Sequence, residues 1–390
     1  MTVTETTAQA PMIEWREAGV VRAARWRSPG GAPAPRRVLV ADDTLAADVA
    51  YRHACEGTAL IWRGDFQNAR QLLQALGRRI DRKVRAGDKA GGKAFVAFPE
   101  AFHRKRMAQA QRVRILGMLL IPFDAGGVIP LRRAPDVRQA CGEAYGNCDE
   151  AHLISLRELL GLIGAHEWRR RGVSIPALGE RIYPHYGVFS PVRGEYVDLV
   201  NEASLPVAAI NGLAFDIGTG TGVLTAVLAR RGVRRVVATD QDERALVCAR
   251  DNIERLGLNN SVELIKADLF PPGRAPLIVC NPPWVPGKPS SALEYAVYDP
   301  DNRMLRGFLA GLAAHLEAEG EGWLILSDLA EHLKLRSRET LQEWIGNAGL
   351  KVLDRHDTRP THARATDPDD PLHAARAAEI TSLWRLVCGG

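Results

Sequence analysis

Two short stretches hold the residue types that do chemistry. One is Asn281-Pro-Pro-Trp284, directly after the apolar run Leu277-Ile-Val-Cys280. The other is Asp216-Ile-Gly-Thr-Gly-Thr-Gly222, which closes a second apolar run, Leu213–Ile217. An amide or a base amino nitrogen is a poor nucleophile, because its lone pair is delocalised into a planar system. Holding its two hydrogens off that plane takes two acceptors. The Asn281 side-chain oxygen and the Pro282 carbonyl can supply them. The lone pair then localises and is aimed in line at an electrophile, which is catalysis by positioning and electrostatics. Pro282 and Pro283 fix φ and stiffen the loop. Trp284 offers a flat face to a base or amide plane. Alone, Asn-Pro after a strand is only a turn signal.

The company of this tetrapeptide gives it meaning. Gly218, Gly220 and Gly222, with Thr219 among them, let backbone turn tightly and approach a ligand. The helix start behind them contributes free N–H groups. Val223 stands where a dinucleotide fingerprint has a third small residue, which argues against a nicotinamide oxidoreductase. Asp240 ends the next apolar run, 22 residues after Gly218, and suits ribose hydroxyls; Gln241 follows it. Asp268, in Lys266-Ala-Asp-Leu-Phe270, suits an adenine amino group, with the Leu269 N–H toward the ring. Singly, such residues are helix caps and turns. Asp216 either braces the glycine loop or faces a cationic cofactor amine, and the two roles are compatible.

These residues need elements to position them. Strands are expected at Leu213–Ile217, Val236–Thr239, Val262–Ile265, Leu277–Cys280, Trp323–Leu326, Lys351–Leu353 and Ile380–Val387. Helices are expected at Val223–Arg231, Asp242–Leu256, Leu305–Leu316 and Glu339–Asn347. This alternation implies an α/β domain with a mostly parallel sheet and helices on both faces. The last two strands read as a hairpin with a long insertion, Asp357–Glu379. Lys288–Tyr298 is a candidate lid, with Tyr295, Tyr298 and Arg303 as candidate substrate contacts. His185 is a candidate base that the chemistry scarcely needs. Trp323, Trp344 and Trp384 are most simply core.

The first half is less regular. Residues 1–11 read as disordered and Ser28–Pro35 as a loop. Val38–Val40 and Ala59–Trp62 read as strands, and Asn68–Leu76 as helical. Asp81–Lys93 reads as a mobile basic loop. Met118–Ile121 and Val128–Leu131 read as a hairpin about Asp124–Gly127, and Ile154–Arg171 as a helix. No glycine-rich loop follows these strands, so this half is assigned no cofactor. The expected domains are a smaller N-terminal α/β or α+β domain at 1–150, a linker and substrate-side loop at 151–205, and the catalytic-type domain at 206–390.

The chain has 390 residues, 46% hydrophobic and 25% charged, which suits two globular domains. Its net charge is +5, yet residues 63–115 alone hold fourteen Lys or Arg against four acids. That run is either a solvated helical face or a surface for phosphates. The six cysteines form no CxxC pair and no zinc-like spacing, so no metal is expected and a reducing cytoplasm is. The longest apolar stretch, Ile115–Phe123, is too short to span a bilayer.

Residues 212–300 resemble the class I amino-methyltransferases, whose signature is Asn/Asp-Pro-Pro-aromatic. Within them the chain resembles the methyltransferase small domain group, which includes release-factor glutamine methyltransferases and ribosomal-RNA guanine exocyclic-amine methyltransferases. Asp216–Gly222, Asp240, Asp268 and Asn281–Trp284 carry the match. The resemblance implies a Rossmann-like seven-stranded fold, S-adenosyl-L-methionine as cofactor and transfer of its methyl group to a planar nitrogen. Tyr183–Arg193 with Glu195 resembles the loop before the glutamine enzymes' catalytic domain, which implies that Phe189, Pro191 and Arg193 line the cofactor or substrate mouth. Trp284 stands where those enzymes have Tyr. The basic run favours an RNA base as acceptor, ahead of a protein glutamine and then a small metabolite. A non-catalytic RNA-binding protein with a vestigial fold is the alternative outside enzymes.

Overall fold

The computed structural model describes residues 11–90, 98–146, 150–289, 292–360, 370 and 372–389. The chain divides into two units, residues 1–95 with 104–167, and residues 96–103 with 168–390.

The first unit holds β1 (Met12–Glu17), β2 (Val20–Arg27), β3 (Arg37–Ala41), α1 (Ala47–Cys55), β4 (Thr58–Trp62) and α2 (Phe66–Ala90). Then come most of α3 (Phe98–Leu116), β5 (Leu119–Phe123), α4 (Arg138–Tyr145), β6 (His152–Ser155) and the start of α5 (Leu156–Arg171). Its six-stranded sheet runs β1-β2-β6-β5-β4-β3, with β3, β4 and β5 parallel. Fully buried Leu60, Ile61, Leu119, Leu120 and Leu153 form its centre.

Several expectations for this unit need correction. Asp81–Ala90 is helical, because the apolar positions of α2 (Leu72, Leu76, Ile80) carry one buried stripe into the basic segment. The end of that expected loop, 91–93, lies outside the described residues, as does the expected disorder at 1–10. Val128–Leu131 is no strand; a single bridge joins Asp124 to Val128, and β5 pairs with β4 and β6 instead. The expected helix from Ile154 begins at Leu156, since His152–Ser155 is a buried strand. The β1–β2 hairpin was not expected at all.

The second unit opens with a small hairpin, β7 (Val173–Ile175) and β8 (Glu180–Ile182), and then α6 (Glu195–Glu202). β9 (Leu213–Ile217), α7 (Val223–Arg230), β10 (Arg235–Asp240), α8 (Glu243–Arg255), β11 (Val262–Lys266) and β12 (Ala275–Cys280) follow. The remainder is α9 (Arg303–His315), β13 (Leu316–Ser327), α10 (Leu329–His332), α11 (Arg338–Asn347), β14 (Leu350–Thr358), α12 (His373–Ala378) and β15 (Thr381–Cys388). The seven-stranded sheet has the order β11-β10-β9-β12-β13-β15-β14. Its first five strands are parallel, and β15 runs antiparallel between β13 and β14.

Alternation along the strands builds two cores. Ala214, Val236, Leu277, Val279, Trp323 and Ile325 face α6, α7 and α8. Phe215, Val237, Ile278, Cys280, Leu324 and Leu326 face α9 and α11. Both faces are therefore covered, as parallel strands require. The resemblance anticipated this doubly wound α/β architecture.

Candidate active site

Register places the chemistry. Cys280 pairs with Ile217, Ile217 with Thr239, and Asp240 with Lys266. Four adjacent parallel strands therefore end side by side. Across these ends stand Asn281, the glycine loop, Asp240 and the Asp268 turn. The chain leaves β9 toward β10 on one side and reaches β12 on the other, so the strand order reverses at the glycine loop. Open α/β sheets bind ligands in the crevice such a reversal creates.

The glycine loop is held from below and behind. Buried Asp216 accepts the hydroxyls of Thr219 (2.8 Å) and Thr225 (2.6 Å) on one carboxylate oxygen, Oδ2. Desolvation pushes its pKa up, against those two bonds. The observed work of Asp216 is bracing. Gly220 has φ +55°, and a Cβ there would meet nothing within 4 Å. Its N–H donates to Asp240 Oδ2 at 3.0 Å, while Asp240 Oδ1 accepts the Asp242 N–H at 2.9 Å. Asp240 thus ties the glycine loop to the start of α8. Burial raises its pKa, more than the donors lower it. Gln241 is exposed just beyond.

Leu269 takes φ +80°, a left-handed conformation costly for a branched side chain, and its carbonyl accepts the Thr239 hydroxyl at 2.6 Å. Exposed Asp268 pairs with Arg303 (2.5 Å), so a residue expected at the substrate meets one expected at the cofactor.

At β12 the Trp284 indole N–H donates to Asn281 Oδ1 at 2.8 Å. The Arg193 guanidinium lies 5.0 Å from the Trp284 ring centroid, and Tyr196 meets the same ring edge-on at 6.5 Å. Trp284 packs against the cores on both sheet faces and against a third cluster containing Val285, Phe102, Leu329 and Leu333. Arg193 bonds Glu195 (3.0 Å) and Glu379 (3.1 Å), and Glu379 also accepts the Ser327 hydroxyl (2.7 Å). Pro282 and Pro191 are buried; Pro283 and Phe189 are half-buried.

Sequence reasoning missed three supports. Fully buried Asn252 on α8 binds the Tyr183 N–H (2.8 Å) and the Thr221 carbonyl (3.0 Å), joining the upstream loop to the glycine loop. Buried Asp299 accepts the N–H groups of Met304 (3.0 Å) and Leu305 (3.1 Å) and so caps α9. Its own N–H donates to the Val285 carbonyl at 3.0 Å, next to Trp284. Phe102 sits 6.3 Å from the Tyr298 ring. Asp-Pro ahead of a helix was the one readable signal among them.

In the expected lid, Ala292–Ala296 forms a short turn and Tyr295 is exposed; residues 290 and 291 lie outside the described residues, as do 361–369 and 371 in the expected insertion. His185 pairs with Asp251 of α8 at 3.0 Å. Among the described residues, no group of three or more His, Cys, Asp or Glu is placed to hold a metal. No described helix is long and apolar enough to cross a membrane.

Residues 181–353 match the family model for the methyltransferase small domain. The release factor glutamine methyltransferase of Mycolicibacterium smegmatis is 33% identical over 199 residues, which is 46% of this chain and 67% of that protein. The chain belongs to the methyltransferase small domain family. Another relative is the release factor glutamine methyltransferase of Gloeobacter violaceus, 29% identical over 34% of this chain and 54% of its own length. A third is the tRNA1(Val) (adenine(37)-N6)-methyltransferase of Bacteroides thetaiotaomicron, 30% identical over 32% of this chain and 56% of its own. These last two matches span little more than half of each relative. The cofactor of this methyltransferase fold is S-adenosylmethionine. The residues present fit it: the open space above Gly220 leaves room for a ligand, and Asp240 is held at the crevice edge.

Proposed function

We propose that this protein transfers a methyl group from S-adenosylmethionine to a planar amino nitrogen of an RNA base. The observation that carries the reading is the register that sets Asn281 beside the glycine loop, with Asp240 one strand further on, beyond that loop. Asp240 would hold the ribose, the Asp268–Leu269 turn the adenine, and the glycine loop the amino-acid end. When bound there, S-adenosylmethionine supplies the electrophilic methyl group. Asn281 Oδ1 and the Pro282 carbonyl would take the two acceptor hydrogens and hold the nitrogen lone pair in line.

Two observations support RNA. The first unit is an α/β sheet with exposed Arg78, Arg82 and Lys83 on α2 and Arg104 on α3. Such charges bind a phosphate backbone without regard to sequence. One relative named above acts on a tRNA adenine. A base must also be unstacked to reach the strand ends, which suits single-stranded RNA. A second reading, a protein glutamine amide, is favoured by the long match to the M. smegmatis enzyme.

The test is incubation with methyl-labelled S-adenosylmethionine and extract from cells lacking the protein. Label released by ribonuclease supports the reading. Label released by protease replaces it with the glutamine reading, and label only in small molecules overturns both. Asn281→Ala should abolish transfer and leave cofactor affinity within about threefold; wild-type transfer by that variant would end the mechanism.

A further inference from the structure

Trp284 was expected to offer a flat face to the acceptor. Its surroundings assign it other work. The Arg193 guanidinium lies against the ring, Tyr196 approaches edge-on, and the indole N–H points back along the chain to Asn281 Oδ1. The guanidinium is itself clamped by Glu195 and buried Glu379, which reach it from α6 and from the segment just before β15.

An asparagine amide has two orientations of nearly equal shape, with oxygen and NH2 exchanged. For the chemistry above they are opposites. One presents an acceptor to the N–H of the substrate; the other presents donors against it. An indole N–H is a donor only, so it selects the orientation with oxygen on its side. A carbonyl oxygen has two lone pairs, so the bond from Trp284 leaves one for the acceptor hydrogen. A phenyl or phenol ring at this place has no N–H to make the selection.

We propose that Trp284 is a positioning residue which fixes the orientation of the Asn281 amide through its indole N–H, and that Arg193, clamped by Glu195 and Glu379, holds Trp284 in place to do so. This rests on the methyl-transfer reading, and its test separates the two.

The structural arm needs no substrate. In 15N-labelled protein, the Trp284 indole resonance is assigned by its loss in Trp284→Phe. It should move in Asn281→Ala and in Arg193→Gln, while those of Trp15 and Trp62, which belong to the first unit, stay in place. An unmoved Trp284 resonance in Asn281→Ala overturns the proposal. The kinetic arm uses the fraction that wild type labels. Trp284→Phe keeps an aromatic ring and should bind S-adenosylhomocysteine within about threefold, with KM nearly unchanged and kcat down about tenfold or more. Arg193→Gln should show the same split, and Arg193→Lys, which keeps the cation, should recover part of kcat. A rise in KM with kcat intact makes Trp284 a stacking platform and overturns the proposal. Loss of S-adenosylhomocysteine binding by the wild type would instead overturn the methyl-transfer reading.

Discussion

The Asn252 side chain and the Tyr183 main chain form a paired contact across 69 residues: Asn252 Oδ1 accepts the Tyr183 N–H at 2.8 Å, and Asn252 Nδ2 lies 3.4 Å from the Tyr183 carbonyl. The same amide nitrogen donates to the Thr221 carbonyl inside the glycine loop. One side chain therefore carries two loops that belong to the candidate cofactor site. Asn252→Ala should cost about 2–4 kcal/mol, since it strands buried backbone groups without partners. S-adenosylhomocysteine affinity should fall at least tenfold in the protein that remains folded. Urea denaturation and calorimetry measure the two effects; a loss below about 0.5 kcal/mol would show that water replaces the amide.

Gly220 and Gly218 separate folding from binding. Both have positive φ, so alanine is strained at either by about 1–2 kcal/mol. At Gly218 the new Cβ would come 2.6 Å from Met304 Cε, and the side-chain end must shift. At Gly220 it would enter open space. Gly220→Ala should therefore fold with only the strain penalty, yet lose more than tenfold in S-adenosylhomocysteine affinity. Unchanged affinity would mean that the cofactor does not approach this backbone.

Asp240 predicts two opposed pH trends. Burial raises its pKa above the ordinary 3.8. A carboxyl raised on folding adds stability that is fully present below the unfolded pKa and is lost as pH rises through the folded value. Binding runs the other way. Ribose hydroxyls donate to the ionised form, so affinity should fall as pH drops through the raised value, before an ordinary aspartate would protonate. Asp240→Asn should flatten both trends, which isolates them from Asp216, whose pKa is raised too. Titration of S-adenosylhomocysteine from neutral pH downward checks this; parallel profiles for variant and wild type would count against Asp240 as the ribose ligand.

Asp299 joins the catalytic-type loop to α9. Asp299→Ala removes the acceptor for two helix N–H groups and should cost about 1–2 kcal/mol. Because its backbone N–H also meets Val285, the substitution should lower kcat more than cofactor affinity. Thermal melts and kinetics on the labelled acceptor fraction check the pair of effects. A stability loss with no change in kcat would confine Asp299 to capping.

Much of this was legible in the chain. β9 is read residue for residue, and Val223–Arg231 and Glu339–Asn347 differ from α7 and α11 by one residue. Parallel strands buried on both faces leave unbroken apolar runs, and helices between them keep a separate period. Gly218, Asp240, Asp268 and Asn281 were readable as one series because each follows such a run. Legibility failed where partners are distant in sequence. Nothing near Asn252 points to Tyr183, and nothing near Arg193 points to Glu379. β6 is four residues joined directly to α5, too short for its own period to show. The basic end of α2 looked like a loop because charge hid the stripe of Leu72, Leu76 and Ile80.

β15 lies between β13 and β14, although it is the last strand in chain order. Until it docks, the sheet is two separate pieces, and the buried strand β13 has an open hydrogen-bonding edge. The segment leading into β15 also brings Glu379 to Arg193. Assembly and competence are thus coupled in time. A nascent chain can complete its glycine loop and its Asn281 turn early, but the brace on Trp284 closes only with the final strand, so a half-made sheet holds an unbraced site.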